Sequence, residues 1–225
     1  MKKPILIEID GPEGASKSTL IGALQGKASP IVEFKSATSN WKFCRLPGTS
    51  KLGEYLRPVV KEFKMLPQTS LGIALAGMSD AYQDMINSKC NIIVDRGLTS
   101  VLMYQFNLDG AYKANPILAE TIYDTLRRQV EAAFDYYRVI VWAHPSIIVD
   151  RLSKRGIDKK DKYDSLSEAQ FAEMVDTYIK LAKDEVHFNE EKTFLLNTDK
   201  LTIEEEVKSF EDIFNHIKGM HEKDI

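Results

Sequence analysis

Ile5-Leu6-Ile7-Glu8-Ile9-Asp10 runs without a break into Gly11-Pro12-Glu13-Gly14-Ala15-Ser16-Lys17-Ser18-Thr19-Leu20. The first stretch has the length and apolar character of a β-strand, and the second fits the spacing G-x-x-x-x-G-K-[ST], except that Ser16 stands at the second glycine. In a loop of this kind the backbone N–H groups turn inward toward a phosphate and the following helix presents its positive end. Lys17 then reaches the β and γ oxygens, and Ser18 supplies an oxygen to Mg²⁺. A polar turn that merely caps a helix is the plainer alternative, since Ser16 or Ser18 would serve as a cap. Serine at position 16 must also accept whatever backbone angles glycine normally supplies, an uncomfortable demand if φ is positive.

Outward from this loop, apolar runs of strand length recur at Ile5 to Ile9, Ile31 to Phe34, Ile92 to Val94, Val139 to Trp142 and Phe194 to Leu196. Helical patterns lie between most of them, near Lys17 to Leu24, Leu52 to Phe63, Thr69 to Asn87, Thr99 to Asn107, Pro116 to Phe134, Ile147 to Lys154, Glu168 to Glu185 and Ile203 to Lys218. Such alternation predicts an α/β fold, a parallel sheet covered on both faces. At 225 residues a single domain spanning 1–225 is expected. Lys154 to Asp164 crowds charges into a stretch with almost no apolar side chains, and reads as a loop.

Composition excludes several classes. The chain is 44% hydrophobic and 28% charged, and no segment approaches the ~20 apolar residues that cross a bilayer. Glu8 and Asp10 break the opening apolar run short of a signal peptide. Cys44 and Cys90 show neither metal-ligand spacing nor a redox motif, so reduced thiols and a cytoplasmic setting are expected. A net charge of −3 provides no overall basic field for polymeric nucleic acid, although local cations would still grip a small polyanion such as ATP.

Four segments in order resemble the thymidylate kinases, with deoxynucleoside kinases more distant, over most of the chain. Asp10-Gly11-Pro12-Glu13-Gly14-Ala15-Ser16-Lys17-Ser18-Thr19 is similar to that family's opening. Arg45-Leu46-Pro47-Gly48-Thr49, with Leu52-Gly53-Glu54 and Arg57, is similar to its Arg-Glu-Pro segment. Asp95-Arg96-Gly97, Ser100 and Tyr104-Gln105 resemble its Asp-Arg-Tyr with a downstream Ser and Ala-Tyr-Gln.

The resemblance implies a doubly wound five-stranded parallel sheet of P-loop type, with a short helical lid at about 151–165. It also implies transfer of the γ-phosphoryl group of ATP, with Mg²⁺, to a deoxynucleoside monophosphate, and a homodimer formed through sheet-covering helices. Because phosphoryl transfer asks mainly for positioning and cations, each role has a chemical reason. Gly11, Gly14, Ala15, Ser16, Lys17, Ser18 and Thr19 would hold the ATP phosphates. Asp95 would join Ser18 in the Mg²⁺ region, and Arg96 and Arg45 would bind the acceptor's phosphate. Glu13 would meet the sugar 3′-hydroxyl, and Ser100, Tyr104 and Gln105 would line the acceptor site, with the Tyr104 ring against the 2′ face of the sugar. In the lid, among Arg151, Lys154, Arg155, Lys159, Lys160 and Lys162, Arg155 is the candidate to enter the site on closure and Arg151 the second.

Against each stands a plainer reading: a strand-end ion pair for Asp95 and Arg96, a solvated charge for Arg45 and the lid lysines, core packing for Tyr104. Where the family carries Phe and Arg for the base, Ala74 to Asp80 has neither, and its Arg-Glu-Pro glutamate is Leu46. The acceptor's base is therefore left open. A kinase for a nucleoside or modified pyrimidine, and a catalytically silent nucleotide-binding module, remain alternatives.

Overall fold

The computed structural model describes residues 2–26, 41–155, 165–183 and 189–223. Five strands form one parallel sheet: β1 (Ile5–Asp10), β2 (Trp41–Arg45), β3 (Asn91–Asp95), β4 (Asp135–Trp142) and β5 (Thr193–Asn197), in the order β2-β3-β1-β4-β5. Around them lie α1 (Lys17–Leu24), α2 (Lys51–Glu62), α3 (Pro67–Ser88), α4 (Leu98–Ser100), α5 (Ala111–Ala114), α6 (Pro116–Ala133), α7 (Pro145–Ser153), α8 (Glu168–Leu181) and α9 (Ile203–Lys223). The expected α/β architecture is present.

The expected strand at Ile31 to Phe34 lies outside the described residues, and the strand at the β2 edge, which sequence reading did not single out, is Trp41–Arg45. Its Lys42 and Arg45 alternate with half-buried Trp41, Phe43 and Cys44, the one-sided pattern an edge strand tolerates and a search for continuous apolar runs overlooks. The helix expected at Thr99 to Asn107 is present in altered form. Three α-helical residues pass into a π-helical segment, Val101–Leu108, where the Asp109 N–H bonds back to the Tyr104 carbonyl at 2.7 Å. Wider turns of this kind recur at functional sites. Of the expected loop from Lys154, residues 156–164 lie outside the described residues.

The chain forms two compact units, Met1–Glu8 with Lys42–Tyr136, and Ile9–Trp41 with Tyr137–Ile225. In the first, α6 buries Ala119, Tyr123, Leu126 and Val130, a helical stripe of spacing four, three, four. Asn115 caps this helix, accepting from the Leu118 N–H at 3.1 Å, and Pro116 takes the first turn, where a missing N–H costs nothing. In the second, α9 buries Val207, Phe210, Phe214 and Ile217 and packs on α1. β4 and β5 pair in parallel from Arg138 with Thr193 to Trp142 with Asn197.

β1 is the middle strand and every one of its residues is buried. It lies between β3 and β4, and doubly wound parallel sheets bind ligands beyond the carboxyl ends of their strands.

Candidate functional site

The loop after β1 is bent by three positive backbone angles: φ is 147° at Gly11, 75° at Gly14 and 77° at Ser16. Gly11 is forced by space as well, because a Cβ there would overlap the Val141 carbonyl oxygen. At Gly14 a Cβ would press on Ile148 and Leu152 at 3.1 Å. Ser16 has no such excuse of type. It sits in the left-handed region at the N-terminus of α1, which costs a non-glycine residue roughly 1–2 kcal/mol. The demand foreseen for position 16 is therefore real.

Side chains of the same unit hold this loop from outside, on consecutive residues. Arg151 donates to the Gly14 carbonyl at 3.4 Å, while its other contacts, to Thr198 Oγ1 at 3.0 Å and the Thr198 carbonyl at 2.7 Å, fix its guanidinium. Thr198, fully buried just past β5, donates to the Ala15 carbonyl at 3.3 Å. Glu206, in the first turn of α9, faces the same cavity as Ser16. A trans peptide whose carbonyl is held on one side turns its N–H to the other, the polarity a phosphate cradle requires. Before the loop, Asp10 is fully buried, accepting from the Gly11 N–H at 2.7 Å and the Tyr178 hydroxyl at 3.0 Å.

Lys17 opens α1 yet is only 4% exposed; its Nζ folds back onto the loop and donates to the Pro12 carbonyl at 2.6 Å. Ser18 and Thr19 are exposed on the first turn and Glu13 is half-buried. Beside the loop lies a cavity of about 400 Å³, lined by Gly14, Ser16, Thr19, Arg151, Arg155, Leu201, Ile203 and Glu206. Arg151 and Arg155 thus share one cavity, whereas Lys154 pairs with Asp150 at 2.6 Å on the surface. Lys159, Lys160 and Lys162 lie outside the described residues. Burial pushes the Glu206 carboxyl above the usual carboxylate range, against the opposing pull of the Ser16 hydroxyl and the Arg151 charge.

The other unit gathers the residues expected to meet an acceptor. Arg96, directly after β3, has φ 68°, one of three described non-glycine residues, with Ser16 and Lys89, in the left-handed region. Its guanidinium donates to Ser100 Oγ at 3.3 Å and lies 5.0 Å from the centre of the Tyr104 ring. Strain of this sort persists only where surrounding contacts over-determine it, and here those contacts are visible. Glu8, fully buried on β1, accepts from the Thr99 N–H at 3.0 Å and from the Tyr136 hydroxyl, pinning the turn that carries Arg96.

Asp95 pairs with Arg45, Nε to Oδ2 at 3.3 Å, and the Leu46 N–H bonds to the Asp95 carbonyl at 2.9 Å. The Arg45 loop closes on itself through Thr49, whose Oγ1 accepts from the Arg45 N–H at 2.7 Å and donates to its carbonyl at 2.8 Å. Leu46–Pro47 is a cis peptide. Leu46 is fully buried and Gln105 is 4% exposed.

Sequence reading did not single out Glu8, Thr198 or Glu206 as site residues. A carboxylate inside the apolar run of β1 was a signal for the first. For Glu206, one of three consecutive glutamates that look like an ordinary acidic first turn, there was none.

The sheet order, the strand-loop-helix with its buried lysine, and the surrounding helices define a P-loop kinase fold. No family model matches the chain, and no curated protein matches it. Solved structures do. The chain is similar to thymidylate kinase from Ehrlichia chaffeensis, with a TM-score of 0.62 at 17% identity, covering 95% of this chain and 99% of that one. It is equally similar to thymidylate kinase from Candida albicans, an enzyme described as having broad substrate specificity, with a TM-score of 0.62 at 18% identity over 96% of this chain and 93% of that one. The fold is thus that of the thymidylate kinases, as the four ordered segments led one to expect.

Proposed function

We propose that the protein is a nucleoside monophosphate kinase of the thymidylate kinase type, phosphorylating a deoxynucleoside monophosphate with ATP. The observation that carries this reading is the loop at 11–16, bent by Gly11, Gly14 and Ser16, with buried Lys17 folded over it. An ammonium group enclosed against backbone carbonyls is poised to exchange the Pro12 contact for phosphate oxygens.

The adjoining cavity falls within the about 300–1,000 Å³ of small-molecule sites, and Arg151 and Arg155 give it the cations that a polyanionic donor needs. Arg96, held by Ser100 and stacked on Tyr104, is the group offered to the acceptor's phosphate. Arg45 is anchored to the same strand end through Asp95. Glu13, Gln105 and Thr19 keep the roles that the resemblance implies.

The donor set suits Mg²⁺. Among the described residues no three His, Cys, Asp or Glu side chains cluster, so a cation would draw most of its ligands from phosphate oxygens and water, which is how Mg²⁺ is ordinarily bound. The exposed hydroxyl of Ser18 is the candidate protein ligand beside the loop, and Asp95 keeps the role that the resemblance implies. Bound there, the ion would offset charge on the β and γ phosphates. The chain's own part is to orient both nucleotides and to hold cations where charge develops.

A homodimer is part of this reading by analogy with the fold. Free Cys44 and Cys90 favour a reducing compartment such as the cytoplasm, and among the described residues no helix is long and apolar enough to cross a membrane.

ADP release with MgATP and a panel of deoxynucleoside monophosphates and nucleosides is the test. Turnover is expected with at least one deoxynucleoside monophosphate and its loss, by about 10²-fold or more, in Lys17→Ala. Turnover with nucleosides alone would replace the acceptor class, and MgATP binding without any turnover would leave a nucleotide-binding module.

A further inference from the structure

We propose that Glu8 is a positioning residue for acceptor binding, its buried carboxylate holding the turn after β3 in the shape that presents the Arg96 guanidinium. The inference rests on Arg96 meeting the acceptor's phosphate in the proposed kinase, and adds what keeps that side chain in place. β1 is buried along its whole length, and Glu8 lies fully buried in it, between Ile7 and Ile9 in sequence. A carboxylate there costs stability that an apolar residue would not, so packing of the sheet gives no reason for it. Its partners give one: Oε1 accepts from the Thr99 N–H at 3.0 Å, and Oε2 from the Tyr136 hydroxyl.

Three residues of the turn depend on that carboxylate. Arg96 takes φ 68°, a left-handed conformation that a residue with a Cβ keeps only where its surroundings hold it. Gly97, which stands where the resembling Asp-Arg-Tyr motif has tyrosine, lies so close that a Cβ would come within 2.3 Å of Glu8 Oε2. Thr99 gives its N–H to the carboxylate from within α4, the short helix that also carries Ser100. Ser100 Oγ, at 3.3 Å, and the Tyr104 ring, at 5.0 Å, then fix the guanidinium itself. Glu8 therefore acts on the acceptor through Arg96 and the start of α4, not by touching it.

If Glu8 works through Arg96, its removal matters only while a guanidinium is there to be presented. The test is steady-state ADP release by the full chain with MgATP and whichever of dAMP, dCMP, dGMP and dTMP the wild type turns over best, with melting temperatures confirming that each variant folds. Glu8→Leu, which fills much of the space but accepts no hydrogen bond, is expected to raise the KM for the acceptor about tenfold while the KM for MgATP stays within about twofold. Glu8→Gln keeps an acceptor oxygen for Thr99 and is expected to bring the acceptor KM back to within about threefold of the wild type. In an Arg96→Gly background, Glu8→Leu is expected to lower kcat/KM for the acceptor less than about twofold. Should Glu8→Leu fail to fold, Glu8→Leu combined with Tyr136→Phe, which leaves no hydroxyl unpaired, enters the same comparison. Equal losses in both backgrounds, a matching rise in the KM for MgATP, a Glu8→Gln no better than Glu8→Leu, or no loss at all overturn the inference and leave the kinase standing. A wild-type chain that turns over none of the four overturns the acceptor reading, and the inference falls with it.

Discussion

Gly97 packs directly against the carboxylate of Glu8, in the space that a β-carbon at position 97 would need. Glu8 is fully buried and receives the Thr99 N–H and the Tyr136 hydroxyl. The absence of a side chain at 97 therefore admits a buried carboxylate, and the carboxylate in turn anchors the turn between β3 and α4.

Gly97→Ala should thus destabilise the protein by steric overlap alone, since φ at 97 is −167° and any residue adopts it. A loss of about 1–3 kcal/mol is expected, as for overpacking elsewhere, and urea unfolding measures it. Tyr136→Phe leaves the Glu8 oxygen without that donor and is expected to cost about 1–3 kcal/mol as well.

Arg96 combines a left-handed φ with a guanidinium held by Ser100 and Tyr104. Arg96→Gly relieves the left-handed φ but loosens the unfolded chain, so stability should change by no more than about 1 kcal/mol. Turnover, in contrast, should fall about 10²-fold or more with the guanidinium gone. A variant that kept its activity would remove Arg96 from the acceptor site.

Arg151 joins the loop to the residue after β5 by charged hydrogen bonds. Arg151→Met is expected to cost about 1.5–3 kcal/mol of stability. Lysine should not rescue it, since one ammonium does not reproduce a planar fork reaching Gly14 and Thr198 together. Unfolding curves of both variants decide this.

Glu206 gives a pH dependence whose sign is set by its burial. Its carboxyl titrates above the ordinary glutamate value in the folded state, so the native state holds the proton more tightly than the unfolded state. The carboxylate therefore costs stability, and that cost appears as pH rises from the ordinary glutamate value through the raised one. Glu206→Gln is expected to be more stable than the wild type at neutral pH, with the gap closing as pH falls below the ordinary glutamate range. Paired urea titrations across that range measure it; a gap independent of pH would contradict the assignment.

Much of the fold was legible locally. The helix at Lys17 to Leu24 has the expected bounds, because a lysine-serine start after a glycine-bearing turn and an apolar run are signals contained in ten residues. The long helices were likewise visible in stripes such as Ala119, Tyr123, Leu126 and Val130. The β2 edge was not, since a half-exposed strand of five residues with two cations carries little period. Nor was the π-helical winding of Val101–Leu108, whose apolar residues would suit either helix.

What the sequence by itself determined is the order of strand, loop and helix around Lys17, and the set of charged residues offered after the strands, because turn chemistry and hydrophobic period act between near neighbours. Only the tertiary structure decided that Glu8 lies beneath the Arg96 turn, that Thr198 and Arg151 hold Gly14 and Ala15, and that Glu206 is buried beside the cavity that Ser16 lines. The hydrogen bonds among them join residues up to 183 positions apart. A buried carboxylate looks like any surface glutamate until the chain has folded around it, since burial belongs to the packed core rather than to a residue's neighbours in sequence.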